Sequence, residues 1–139
     1  MPVVTATLTC RTGGNGDTVD LTMDLAEAIR ESGLMDGVAT LFIGGSTAGI
    51  TTIEFEPGAV RDLQDIFEEI APAGRDWRHH ERWGDYNGHS HVRAAMLGPS
   101  LSVPFVSQEL TLGTWQQVVL VDFDDKQRHR EIIVQMVGE

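Results

Sequence analysis

The sequence is poor in cysteine, in basic residues and in long apolar runs. Its single cysteine, Cys10, excludes an intramolecular disulfide and a zinc site built from several cysteines. Ten Lys and Arg stand against 21 Asp and Glu, and the resulting net charge of -11 repels nucleic-acid phosphates and anionic membranes. No run of 18 apolar residues is present, and the first residues lack the pattern of a signal peptide. We therefore expect no nucleic-acid or membrane partner, and a cytoplasmic location.

The pattern of apolar residues predicts one α+β domain over residues 1–139. Strict alternation predicts a half-buried strand at residues 3–11, and helical spacing predicts helices that end near Ser32 and Ala71. The other predicted strands are residues 38–43, 50–54, 101–106, 110–112, 115–123 and 132–137. Because helices and strands do not alternate regularly, we predict an antiparallel β-sandwich or open barrel with two to three helices packed at one side.

The two long C-terminal strands, residues 115–123 and 132–137, carry apolar side chains on both faces. A domain of this size has few helices with which to cover a second sheet face. Burial against another copy of the chain would cover it, so we predict a homo-oligomer. In the alternative interpretation, a second sheet and a helix of the same chain cover both faces.

Residues 72–88 are predicted to form a long irregular connection, and such loops often carry function. The window 75–93 holds four arginines against three carboxylates, together with four of the five histidines. It is therefore slightly basic within an acidic protein, and a small anionic ligand is best received there. In the alternative interpretation, these arginines only pair with the acidic remainder of the chain.

Two histidines stand two residues apart in this window, and their use depends on the local backbone. In an extended segment, His89 and His91 point to the same side and can share one ion or one substrate. On a helix they are turned about 200° apart. With Asp85, two converging imidazoles would suffice for zinc, magnesium or a similar divalent metal with open positions.

Four motifs, in this order and spacing, resemble the YjbQ family. They are Arg82-Trp83-Gly84-Asp85, Asn87-Gly88-His89-Ser90-His91, Leu97-Gly98-Pro99-Ser100-Leu101 and Leu112-Gly113-Thr114-Trp115-Gln116. Gly45-Ser46-Thr47-Ala48 is similar to the family's strand-end motif, and the resemblance runs from about residue 3 to the end. It implies a YjbQ-like β-sandwich assembled as a homotrimer, with a pocket near the subunit boundary lined by the histidine and strand-end motifs. The family is uncharacterised in the main and is labelled a secondary thiamine-phosphate synthase.

The resemblance also has one departure, at the strand end. The family commonly has Pro-His-Thr/Ser-Thr where this chain has Gly44-Gly45-Ser46-Thr47, so Gly45 replaces the family histidine. If that imidazole completes a metal or acid–base site, this chain lacks a ligand or a proton carrier.

The labelled reaction joins a pyrimidine pyrophosphate to a thiazole phosphate with loss of pyrophosphate, and it calls for anion neutralisation. We expect Arg82 and Arg93 to clamp phosphate oxygens, and Ser46 and Thr47 to add hydrogen bonds. His89 can transfer a proton near neutral pH.

Two further residues of the same motifs complete the predicted catalytic set. Asp85 can orient a histidine or bind a magnesium ion brought by the pyrophosphate. We also assign Asn87 to the catalytic residues. Two functions remain open: a weak thiamine-phosphate synthase that acts on small phosphorylated or pyrophosphorylated substrates, and a non-catalytic homotrimer that binds a metal or small ligand, which Gly45 favours.

Overall fold

The computed structural model describes residues 1–139 apart from the Trp83 side chain, so this member of the Arg82-Trp83-Gly84-Asp85 motif lies outside the described residues. In chain order the elements are β1 (Val3–Thr12), β2 (Asp17–Asp20), α1 (Thr22–Ser32), β3 (Gly37–Ile43), β4 (Ala48–Ile53), α2 (Pro57–Ile70), α3 (Arg78–Trp83), α4 (Gly88–Leu97), β5 (Ser100–Val106), β6 (Glu109–Leu110), β7 (Gln117–Asp122) and β8 (Arg128–Gly138). None of these helices is both long and apolar enough to cross a membrane, over the residues described.

The strands form two antiparallel sheets. The larger has the order β1-β8-β3-β5-β6 and the smaller the order β2-β7-β4. β1 and β8 pair along their length, from Val3 opposite Val137 to Thr12 opposite Arg128. Helix α1 contacts three strands of the larger sheet and also β7 of the smaller one. The two sheets and α1 thus enclose one apolar interior.

The main core fills this interior. The apolar side chains of β1 that alternate with threonines face it, as the period of two predicts. Leu25 and Ile29 of α1 are fully buried in it, and α1 ends at Gly33, whose φ of 75° is left-handed. Helix α2 starts at Pro57, and the Glu56 carboxylate accepts hydrogen bonds from the amides of Gly58 and Ala59.

A second, smaller core covers the other face of β7. Val118 and Leu120 point into the main core, whereas Val119 and Val121 pack with side chains of α2 and α4. Both faces of this strand are therefore covered within one chain. The alternative interpretation is correct for β7, and its apolar faces give no argument for an oligomer.

The α+β fold class with antiparallel sheets is confirmed. The structure adds two elements within the predicted irregular connection and its flank: α3 forms inside residues 72–88, and α4 takes up the histidine motif. The short strand β2 also lies where no strand is predicted, since its four residues give no alternation long enough to detect.

Candidate functional site

An open cleft of about 410 Å³ lies where three segments meet at the strand ends of the smaller sheet. Ala48 pairs with Asp122, so the bend before β4 and the chain after β7 lie at the same edge. The start of α4 closes the third side. The cleft is lined by Gly45, Ser46, Thr47, His79, Asp85, Asn87, His91, Asp124, Arg128 and Arg130.

Arg130 lines the cleft and forms a buried ion pair with Asp122, which is not among the lining residues. Arg130 donates from Nε to Asp122 Oδ2 at 2.7 Å and from Nη2 to Asp122 Oδ1 at 2.9 Å. The Thr12 hydroxyl donates to the same carboxylate at 2.6 Å. Burial raises the pKa of Asp122, but these hydrogen bonds outweigh burial and hold the pKa below its usual range. The pair therefore stays ionised and fixes the guanidinium plane.

Asp124 is a buried carboxylate that joins the three segments of the cleft. Its Oδ2 accepts from Thr47 Oγ1 at 3.1 Å and from Arg128 Nε at 2.8 Å, and its Oδ1 accepts from Asn87 Nδ2 at 3.4 Å. Burial acts to raise the pKa of Asp124, yet the hydrogen bonds, that of Arg128 first, hold it far below the usual value. Asp124 is thus a fixed negative charge that positions its neighbours.

Asn87 occupies the N-cap position of α4, but its side chain bonds Asp124 instead of the helix backbone. Because Nδ2 must donate to a carboxylate, the orientation of the amide is fixed. Its Oδ1 is buried and has no hydrogen-bond partner among the described residues. A buried acceptor without a partner is costly, so a ligand donor in the cleft would satisfy it.

A pair of imidazoles also lines the cleft. The rings of His79 and His91 have centroids 4.3 Å apart and are tilted by 49°. His79 Nε2 lies 3.0 Å from Asp85 Oδ1, without the alignment of a hydrogen bond. Burial first, and then the neighbouring His79, lower the pKa of His91, against the opposing charge of Asp85. His91 is therefore neutral near pH 7 and able to accept a proton.

His89 does not share this cleft. The motif lies in the first turn of α4, so the two imidazoles leave the helix about 200° apart. His89 is only 5% exposed, and its Nδ1 is buried without a partner among the described atoms. Burial, followed by the charge of Arg93, lowers the pKa of His89. The predicted catalytic role of His89 therefore has no support from its position.

The predicted metal set of His89, His91 and Asp85 is not brought together. The helical turn separates the two imidazoles, and the described residues contain no group of three or more His, Cys, Asp or Glu arranged to hold a metal ion. The predicted set required an extended backbone, whereas these residues begin helix α4.

Arg82 and Arg93, the predicted phosphate clamp, do not line the cleft. Arg93 is 6% exposed and donates from Nε to the Ala71 carbonyl at 2.9 Å and from Nη2 to Glu68 at 2.6 Å. It therefore ties α4 to the end of α2. Arg82 lies on the exposed part of α3 and is not among the residues that line the cleft.

The guanidinium groups in the cleft, those of Arg128 and Arg130, were not predicted. One signal was available: Arg130 has the same phase in β8 as the core residues Ile132 and Val134. A charge on a buried face needs a partner of opposite sign. Asp122 is a carboxylate at the end of the otherwise apolar and buried strand β7, and it is the partner that Arg130 needs.

Fold and cleft together define a class: a small two-sheet α+β protein with a polar cleft at its strand ends, beside the first turn of a helix. The family model described as UPF0047 protein YjbQ-like matches residues 6–139. The chain belongs to this family.

Relatives of known sequence and structure agree. A UPF0047 protein of Methanothermobacter thermautotrophicus is 31% identical over 139 residues, covering 100% of this chain and 95% of the relative. The crystal structure of a YbjQ-like protein of unknown function from Sulfolobus solfataricus has a TM-score of 0.94 at 30% identity and covers 99% of each chain. A YjbQ/UPF0047 structure from Clostridium acetobutylicum has a TM-score of 0.86 at 30% identity, covering 95% of this chain and 99% of that one.

Proposed function

We propose that the cleft binds a small phosphorylated or pyrophosphorylated ligand and supports a slow transferase reaction of the thiamine-phosphate synthase type. The observation that carries the proposal is the convergence of Arg128, Arg130, the Asn87 acceptor and the His91 imidazole on one cleft. Guanidinium groups supply paired donors to phosphate oxygens. A neutral imidazole beside them can take up a proton.

Arg130 is held so that one of its nitrogens remains directed at the bend after β3. Its Nε and Nη2 are used on Asp122 and Thr47. A Cβ built on Gly45 would lie 3.3 Å from Nη1, so this nitrogen faces the bend. The Thr47 hydroxyl already accepts from Arg130 and donates to Asp124, so its role is to position them. Ser46, exposed at the same bend, is the hydroxyl that would meet the ligand.

The charge of the cleft limits its affinity for an anion. Arg128 and Arg130 are balanced by Asp124 and Asp122, and Asp85 adds a further negative charge. Phosphate recognition would therefore depend on directed hydrogen bonds more than on net charge, and it would strengthen when His91 is protonated. A magnesium ion carried by pyrophosphate would find Asp85, whose side chain is 51% exposed.

In this proposal the residues of the chain have separate tasks. Arg128 and Arg130 neutralise the departing pyrophosphate, and His91, in place of His89, exchanges a proton with the bound substrate. Asn87 Oδ1 accepts a hydrogen bond from the organic part of the substrate, while Asp124 positions Asn87 and Arg128.

Calorimetric titration with pyrophosphate, with and without magnesium, tests the proposal. Replacing Arg128 by Gln removes charge-assisted donors, and we expect the affinity to fall by about tenfold or more. The matched control is Arg61→Gln on α2, where the arginine pairs with the exposed Asp65 outside the cleft. Thermal melts of both variants confirm that they are folded. Product formation from the pyrimidine pyrophosphate and the thiazole phosphate measures turnover, and failure of the wild type to bind pyrophosphate would remove the proposal.

A second candidate is a homotrimer that binds its ligand without turnover. The supporting observation is an apolar stripe on the outer face of the larger sheet. Val38 pairs with Val137 and Phe42 with Ile133 in the register of β3 and β8, and all four side chains are 38–48% exposed. Another copy of the chain would bury this stripe. Pyrophosphate binding without any product would favour this candidate.

A further inference from the structure

Starting from the proposed binding of phosphate, we infer that the ligand also carries a small apolar ring, which occupies an annex to the cleft. We define the annex as a second cavity of about 240 Å³ beside Gly45, Ser46 and His91. These three residues line both cavities, so the annex and the cleft share one boundary. A ligand seated across that boundary contacts both.

The annex differs from the cleft in chemistry. Beyond the three shared residues it is lined by Ala48, Ala94, Ala95 and Pro99, which are small and apolar. The cleft, in contrast, presents two guanidinium groups and two carboxylates. The two chambers therefore suit a ligand with one ionic end and one uncharged end.

The size of the annex favours a ring over a bulky or extended group. An apolar cavity of about 150 Å³ is large enough to bind benzene. The annex is somewhat larger and is open on one side, so a five- or six-membered ring fits with its edge at the boundary. The His91 imidazole stands at that boundary and offers an aromatic surface to the ring.

Gly45 keeps the passage between the two chambers open. Its φ of 147° belongs to the range that favours glycine, and a Cβ there would lie 3.3 Å from Arg130 Nη1. A side chain at this position would stand between the guanidinium and the annex. Because Gly45 has no side chain, one small molecule can place its phosphate in the cleft and its ring in the annex.

A comparison of two phosphate monoesters tests the inference: methyl phosphate, which has no ring, and benzyl phosphate. By calorimetry we expect the wild type to bind benzyl phosphate about tenfold more tightly, because burial of the ring removes apolar surface from water. In Ala95→Leu, the longer side chain fills the annex from an exposed position of α4. This variant should lose the gain for benzyl phosphate and keep the affinity for methyl phosphate.

Ala73→Leu is the matched control, because Ala73 is exposed and lies outside both chambers. It should retain the full preference for benzyl phosphate. If both esters bind equally well, or if Ala95→Leu keeps the preference, the inference is wrong while the proposed phosphate site stands. If neither ester binds, the phosphate site itself is wrong, and the inference fails with it.

Discussion

At the scale of single residues, two histidines of one motif have different surroundings, and their protonation has different effects. His91 stands at the wall of the cleft, where a ligand can reach it, whereas His89 is buried beneath α4. Protonation of His91 therefore acts on binding. Protonation of His89 acts on stability, because a buried imidazole whose Nδ1 has no partner among the described atoms gains a charge that the surroundings do not solvate.

We predict that the protein loses stability as the pH falls from 7 to 5, and that His89 causes much of the loss. Its pKa is lowered in the folded state by burial and by Arg93, so the unfolded state takes up its proton first. The stabilisation is thus complete above the unfolded pKa of about 6.5 and declines below it. Urea unfolding at several pH values measures the loss.

The matched variant for this prediction is His89→Gln, which keeps a polar side chain of similar length without a titratable ring. Its free energy of unfolding should vary less over the same pH range. The carboxylates with lowered pKa, those of Asp122, Asp124 and Glu68, lose their contribution mainly at lower pH, near and below their unfolded pKa of about 4. An equally steep pH dependence in the variant would show that His89 is not the group responsible.

Prediction from sequence at this scale depends on knowing the backbone. The structure brings five predicted site residues to one cleft, namely Ser46, Thr47, Asp85, Asn87 and His91. His89 is not there, because a spacing of two residues means opposite directions on a helix and one direction on a strand. The residue types alone cannot decide between these two outcomes.

At the scale of elements, the connection from β7 to β8 determines the shape of the cleft. Asp122 ends β7, Asp124 follows it, and Arg128 and Arg130 lie at the start of β8, so the ionic contacts cross the connection from the smaller sheet to the larger one. The buried pair of Asp122 and Arg130 is hydrogen-bonded through two atoms on each side. Removing one partner leaves the other as a buried, uncompensated charge.

We therefore predict that Arg130→Leu lowers the free energy of unfolding by about 3–5 kcal/mol, the cost of breaking a buried pair. The control is Arg61→Leu, which breaks an exposed pair within α2 and should cost less than about 1 kcal/mol. Urea denaturation of both variants at pH 7 gives the comparison. Equal costs would mean that the Asp122 carboxylate is solvated in the native protein.

Helix α4 shows why one element escaped prediction. Its buried positions include His89, Ser90 and Arg93, whereas Val92 and Met96 are 36% and 57% exposed. Polar side chains are thus buried beside Ala94 while two large apolar ones are exposed, which obscures the usual amphipathic pattern. The strands were predictable because alternation gives their buried face directly. An element whose buried face carries functional groups has no such signal.

At the scale of the whole molecule, the outer face of the larger sheet carries an exposed apolar stripe. In β8 the side chains of Ile132, Val134 and Met136 are fully buried, while Ile133 and Val137 on the opposite face are not. They form the apolar stripe with Val38 and Phe42 of the neighbouring strand. Both faces of β7 are covered within one chain, whereas the exposed apolar face of β8 remains a reason to expect an oligomer.

We predict that the protein forms a homotrimer through this stripe, and that Ile133→Glu dissociates it. The substitution places a charge at the centre of a surface that association would dehydrate, and burying an unpaired carboxylate is costly. Light scattering coupled to size-exclusion chromatography should give about three chain masses for the wild type and one for the variant. Because each chain carries a net charge of -11, association should also weaken at low salt, where like charges repel over a longer distance.

The control is Met23→Glu, at an 83% exposed position of α1 away from the stripe, which should remain trimeric. A wild type that elutes as a single chain, or an Ile133→Glu variant that stays associated, would show that this face of the sheet is not the interface.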